Sequence, residues 1–92
     1  GVFAVSIPDW GVTPFAGGRD RERVAVDIDR FNEALAELTT RVSVPLVDVT
    51  AISRAEPGLV APDGLHPSGE QYRRWVEVIA PVAEAVLGRR AG

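Results

Sequence analysis

Cysteine and lysine are both absent from the chain, and histidine occurs once among 92 residues. Without cysteine there is no disulfide framework, no thiolate nucleophile and no cysteine-ligated zinc, and the redox compartment leaves no mark on the sequence. All ten basic residues are arginine, which excludes Schiff-base chemistry and a phosphate-binding loop of the Walker type. One histidine cannot by itself build the multi-histidine metal sites. No apolar run approaches the roughly 20 residues that cross a bilayer. The opening GVFAVSIPDW has no basic region ahead of its short apolar stretch, so it reads as a buried strand and not as a span or signal peptide. The catalytic vocabulary that remains is aspartate, glutamate, serine, one tyrosine and one histidine.

What is present fits one small domain. Hydrophobic residues make up 46% and charged residues 25%, the balance of a globular chain and not of a disordered tail. A chain this short buries only about 60–65% of its unfolded surface, so the expected core is thin. The formal net charge is −3 and the arginines are spread along the chain, which does not make a phosphate-neutralising surface; nucleic acid is not an expected partner. The pairs Arg73-Arg74 and Arg89-Arg90 read as solvated helix faces.

Residues 2–7 form a short apolar run rich in β-branched and aromatic side chains, closed by Pro8, Asp9, Trp10 and Gly11; this predicts a strand covered on both faces. A turn-rich loop follows, and Asp20 is placed to cap a helix. Val24, Ile28, Phe31, Leu35, Leu38 and Val42 recur at spacings of four and three, one stripe of an amphipathic helix. Residues 44–49 predict a second strand, with Pro45 tolerable only at its start or at an edge. Strand, long helix, strand is the pattern of a right-handed βαβ unit with parallel strands.

Residues 50–54 predict one helical turn, and residues 56–67 hold three prolines and two glycines, so they predict a loop. Ser68 and Gln71 fit the capping-box pattern at the start of a last helix. That helix presents Tyr72, Trp75, Val76, Ile79, Ala83, Val86 and Leu87 inward, and Pro81 should kink it. Asp9 and Trp10 read as loop anchors, and Asp48 as a carboxylate satisfied by a neighbouring amide.

Asp63 and His66 stand three apart in DGLHPSG. A histidine base works best when one ring nitrogen is held by a carboxylate and the other faces a nucleophile. Gly64 frees the backbone between them, so a single turn can bring carboxylate to imidazole while Pro67 and the Ser68 cap fix the exit. The loop follows a strand and enters a helix, which is where open α/β sheets carry their sites.

In these residues the chain resembles the SGNH (GDSL-type) esterases and lipases, whose last block is D-x-x-H-P followed by a helix bearing an aromatic residue. Asp63, Gly64, Leu65, His66, Pro67, Ser68 and Tyr72 stand in that order. VFAVSIPDWG is similar to the family's strand and loop after its third block, and IDRFNEAL with VPLVDV to its next helix and strand, so the resemblance covers essentially the whole chain. Gln71 stands where many members carry glycine.

The resemblance implies an α/β fold of the flavodoxin-like type, a parallel sheet in a three-layer sandwich, with Asp63 and His66 as two members of a Ser-His-Asp triad acting on a small-molecule ester. It implies no cofactor and no metal. The family's nucleophilic serine, in a G-D-S run, and its glycine and asparagine oxyanion-hole blocks have no counterpart here. Ser6, Ser43, Ser53 and Ser68 lie outside such a context. The expectation is therefore the C-terminal part of a longer hydrolase, inactive alone, whose partner is the N-terminal segment of the same domain. The competing expectation is a non-catalytic α/β binding or interaction module in which DGLHPSG is only a capped loop.

Overall fold

The computed structural model describes residues 1–91, with side chains through residue 88. The elements run β1 (Ala4–Val5), α1 (Arg21–Arg41), β2 (Leu46–Val47), α2 (Thr50–Ala55) and α3 (Gly69–Ala91), with 3-10 turns at Trp10–Val12 and Pro14–Ala16 between β1 and α1. β1 and β2 are parallel neighbours, with Ala4 opposite Leu46 and Val5 opposite Val47. The Ala4 and Ser6 amides donate to the carbonyls of Pro45 and Val47, each at 2.9 Å. The molecule is mixed α/β, built on a strand, helix, parallel strand unit.

Regular pairing is shorter than residues 2–7 and 44–49 predict, and local chemistry says why. Pro45 has no N–H to give to a ladder. At the other end the Ile7 amide donates to Asn32 Oδ1 at 3.2 Å. Asp48 turns toward α2, its Oδ1 accepting from the Thr50 amide at 2.9 Å and the Ser6 hydroxyl at 3.1 Å. The cover expected over both faces of the first strand is also incomplete, since Val2 is 66% exposed and Ala4 and Val5 are only partly buried.

α1 starts where the sequence predicts, with the Asp20 carboxylate accepting from the Arg23 amide at 3.0 Å. Its stripe splits in two. Ile28 is buried and Val24 and Leu35 are partly so, whereas Phe31, Leu38 and Val42 are each more than half exposed. A 21-residue helix is about 31 Å long, its main contact is with the Trp10–Val12 turn, and the two strands pair over two residues each, so the C-terminal half of the stripe has no sheet beneath it.

α3 behaves similarly. Trp75, Ile79, Val82, Ala83 and Val86 turn inward, while Tyr72, Val76 and Leu87, expected on that face, are exposed. The helix is continuous through Pro81, where the missing amide leaves the Glu77 carbonyl without its helical donor. Arg73 is exposed, paired with Glu70 at 2.6 Å, and Arg74 reaches Glu56 at 2.8 Å; the Arg89 and Arg90 side chains lie outside the described residues.

The core consists of Ala16, Ile28, Val47, Val49 and Val86. Its small size shows in the outline of the molecule. The radius of gyration is 14.7 Å, against about 12 Å for a compact chain of this length. The accessible surface is 5966 Å², about 800 Å² more than a compact monomer of this mass presents.

Candidate active site

The loop after α2 folds back on itself into a clasp. The Ser68 amide donates to the Leu59 carbonyl at 3.0 Å and the Ala61 amide to the His66 carbonyl at 2.7 Å, with an antiparallel bridge between Val60 and Pro67. At its tip the Gly64 amide donates to the Ala61 carbonyl at 2.9 Å. Pro62, with its restricted φ, is pre-set for the first central position of that turn and Asp63 takes the second.

Gly64 has φ +72, and a Cβ there would come within 3.3 Å of Pro14. Its carbonyl accepts from the Phe15 amide at 3.0 Å, which seats the tip against the second 3-10 turn. Backbone conformation and close approach both require glycine at this position.

Asp63 uses both carboxylate oxygens. Oδ1 accepts from the Leu65 amide at 2.9 Å and the His66 amide at 3.0 Å, and Oδ2 is hydrogen-bonded to His66 Nδ1. An aspartate that takes the amides ahead of it is what an Asx turn makes in many loops; the imidazole contact is the further feature. The His66 contact first, and then the two amides, hold the Asp63 carboxyl down at about 2. A charged carboxylate only accepts, so in neutral His66 the proton sits on Nδ1 and the lone pair on Nε2. No group among the described residues bonds Nε2, and the His66 side chain is 69% exposed. The arrangement leaves Nε2 as the ring atom able to accept a proton.

Three of the four serine hydroxyls are committed elsewhere. Ser6 Oγ accepts from the Val49 amide at 2.9 Å and contacts Asp48 and Thr50; Ser53 Oγ accepts from the Asp9 amide at 2.8 Å and donates to the Thr50 carbonyl; Ser68 Oγ caps the Gln71 amide at 3.2 Å. Ser43 is exposed but precedes β2, at the opposite end of the parallel pair from the His66 loop. Among the described residues no serine hydroxyl is hydrogen-bonded to His66.

Among the described residues, Asp63 and His66 line neither the space under the clasp, nor the grooves beside α1, nor the one between α2 and α3. Under the clasp, between Trp10, Ser53, Leu65, Pro67 and Gln71, is a space of about 30 Å³, room for a single water. A groove of about 600 Å³ between α1, β2 and α2 carries Asn32, Asp48 and Arg54 on its walls. No group of three or more metal-ligating side chains occurs among the described residues, and no helix is long and apolar enough to cross a membrane.

Two residues that matter to the site were not singled out as such by the sequence. Asp9, read as a loop anchor, is a buried carboxylate whose Oδ2 accepts from Arg54 Nε at 2.9 Å while its Oδ1 caps the Gly11 amide at 2.8 Å. This couples α2 to the Trp10 turn, and Arg54 had no pattern to mark it. Gln71 was expected to return its side chain to the Ser68 amide. It is instead buried, with Nε2 donating to the Leu59 carbonyl at 2.6 Å and Oε1 accepting from Trp75 Nε1 at 3.2 Å.

No protein-family model, curated protein or solved structure matches the chain.

Proposed function

We propose that Asp63 and His66 are the acid and base members of a Ser-His-Asp triad in a carboxylic ester hydrolase of the SGNH type, to which this chain contributes the C-terminal part of the domain. The observation that carries the reading is the Asp63 to His66 Nδ1 hydrogen bond, with Nε2 left exposed. A serine supplied by the N-terminal segment of the same domain would attack the ester carbonyl while His66 Nε2 takes its proton. His66 then gives that proton to the departing alcohol or thiol, leaving an acyl-enzyme. Water, deprotonated in turn by His66, releases the acid and restores the serine. Asp63 stays ionised throughout, holding the ring and its charge. The substrates are carboxylic esters, thioesters or acetylated sugars, and the chemistry needs no cofactor.

The surface supports a partner segment of this kind. The Val5 N–H and C=O point away from β2, toward an edge where no strand lies among the described residues. The exposed stripe on α1, where Phe31, Leu38 and Val42 are each more than half exposed, offers apolar surface for such a segment to cover. A further parallel strand with helices over it would complete the three-layer sandwich.

A fluorophosphonate probe tests the reading. The 92-residue chain alone should remain unlabelled, and the gene product extended upstream of Gly1 should label at a serine in a G-D-S run. Stoichiometric labelling of Ser6, Ser43, Ser53 or Ser68, or an upstream sequence without that run, would sink it and leave the capped-loop module standing.

A further inference from the structure

Gln71 is 3% exposed, and all its polar side-chain atoms are engaged. Both partners are chemically one-way: the Trp75 indole can only donate and the Leu59 carbonyl can only accept. The carboxamide orientation is thereby fixed, with Nε2 on the clasp and Oε1 on the helix. The Gln71 amide is in turn the one capped by Ser68 Oγ. The Leu59 carbonyl that Gln71 grips also accepts the Ser68 amide, so the side chain closes the base of the clasp. Two residues further along, the Ala61 amide grips the His66 carbonyl. Glutamine at a helix start ordinarily bonds back to its own cap; here it reaches 12 residues upstream.

We propose that Gln71 is a positioning residue for the Asp63 and His66 pair, holding the arm of the clasp opposite His66 to α3 so that carboxylate and imidazole meet. The proposal rests on reading that pair as functional, yet it can be tested without turnover. Among the described residues the tip makes one backbone hydrogen bond beyond the clasp, from the Phe15 amide to the Gly64 carbonyl, so the angle at which the tip leaves α3 depends also on the base. Without the carboxamide the clasp keeps its own backbone bonds, Ser68 to Leu59 and Ala61 to His66, and loses the side-chain tie that fixes its upstream arm to α3.

The test is a carbon-13 NMR titration of the Asp63 carboxyl in the 92-residue chain and two variants. Gln71→Met keeps volume and helix propensity but removes both hydrogen bonds. Trp75→Phe keeps an aromatic side chain, of smaller volume, and removes the donor that fixes the amide. The midpoint should lie at about 2 in the parent chain. It should rise toward the ordinary aspartate value of about 3.9 in Gln71→Met, and by a smaller amount in Trp75→Phe. Amide exchange in α1 and across the β1–β2 pair should stay as in the parent.

A merely structural glutamine would lower the melting temperature and leave the Asp63 midpoint at about 2. That result in the folded variants overturns the proposal, as does a parent midpoint near 3.9. If Gln71→Met does not fold, Trp75→Phe alone decides. Failure of the hydrolase reading is seen separately, in the probe labelling of the extended gene product.

Discussion

At Asp63 three donors converge on one carboxylate, two backbone amides and an imidazole, and each favours the charged form. The folded value of about 2 lies below the unfolded value of about 3.9. Over that interval the unfolded chain binds the proton first, so the contribution to stability is complete above about pH 4 and is lost as pH falls through about 2. Glu70, held at about 2 by Arg73 and then Arg74, acts in the same window. The urea midpoint of the chain should therefore drop between about pH 4 and 2. Asp63→Asn should flatten that drop, with the remainder belonging to Glu70. Parallel wild-type and variant profiles across this window would show that the carboxylate contacts do not persist in solution.

The three-residue spacing of Asp63 and His66 was legible because the contact is local; one turn with a glycine in it brings the two side chains within reach of each other. Gln71 was misread for the converse reason. Its local partner, the Ser68 amide, is already donated to the Leu59 carbonyl, and a contact 12 residues away leaves no periodic trace.

Among the elements, both long helices were legible from periodicity and caps, and the parallel pair from the order of strand and helix. The lengths of the strands were not, because apolar side chains at residues 2–7 report burial and not which amides find a ladder partner. The six-residue α2 holds Arg54, which ties three elements together through Asp9, Asp29 and the Ala25 carbonyl. Arg54→Leu leaves Asp9, 2% exposed, as a buried carboxylate without its cation. The expected loss of unfolding free energy is on the order of 2–3 kcal/mol, the low side of the range for a broken buried pair because the guanidinium is a third exposed. Chemical denaturation measures it. A change below about 0.5 kcal/mol, the ordinary cost of a surface substitution, would mean that the Gly11 and Ser53 contacts alone hold Asp9.

Over the whole molecule, the apolar surface exceeds what the small core uses. The α1 stripe was read as core and is half solvent-exposed; periodicity records that a face is meant to be covered and cannot say by which residues. Leu38→Gln and Val42→Thr, at positions 56% and 58% exposed, should each change the stability of the 92-residue chain by less than about 0.5 kcal/mol. Ile28→Ala, at a position 4% exposed, should cost about 2–5 kcal/mol. If the two stripe substitutions destabilise the chain as much as Ile28→Ala, the stripe is already covered in solution and no partner segment is needed to cover it.

The proposed role of His66 as a general base oriented by Asp63 is read out by steady-state kinetics of the full gene product on an activated ester. His66→Ala should lower kcat by on the order of 10⁴ to 10⁶ with little change in substrate binding, the loss seen when one member of a unit is removed. Asp63→Asn should cost less than that or at most about 10⁴, and the double variant should be little worse than His66→Ala alone. Retention of most of the turnover by each single variant would contradict the account and leave DGLHPSG a structural loop.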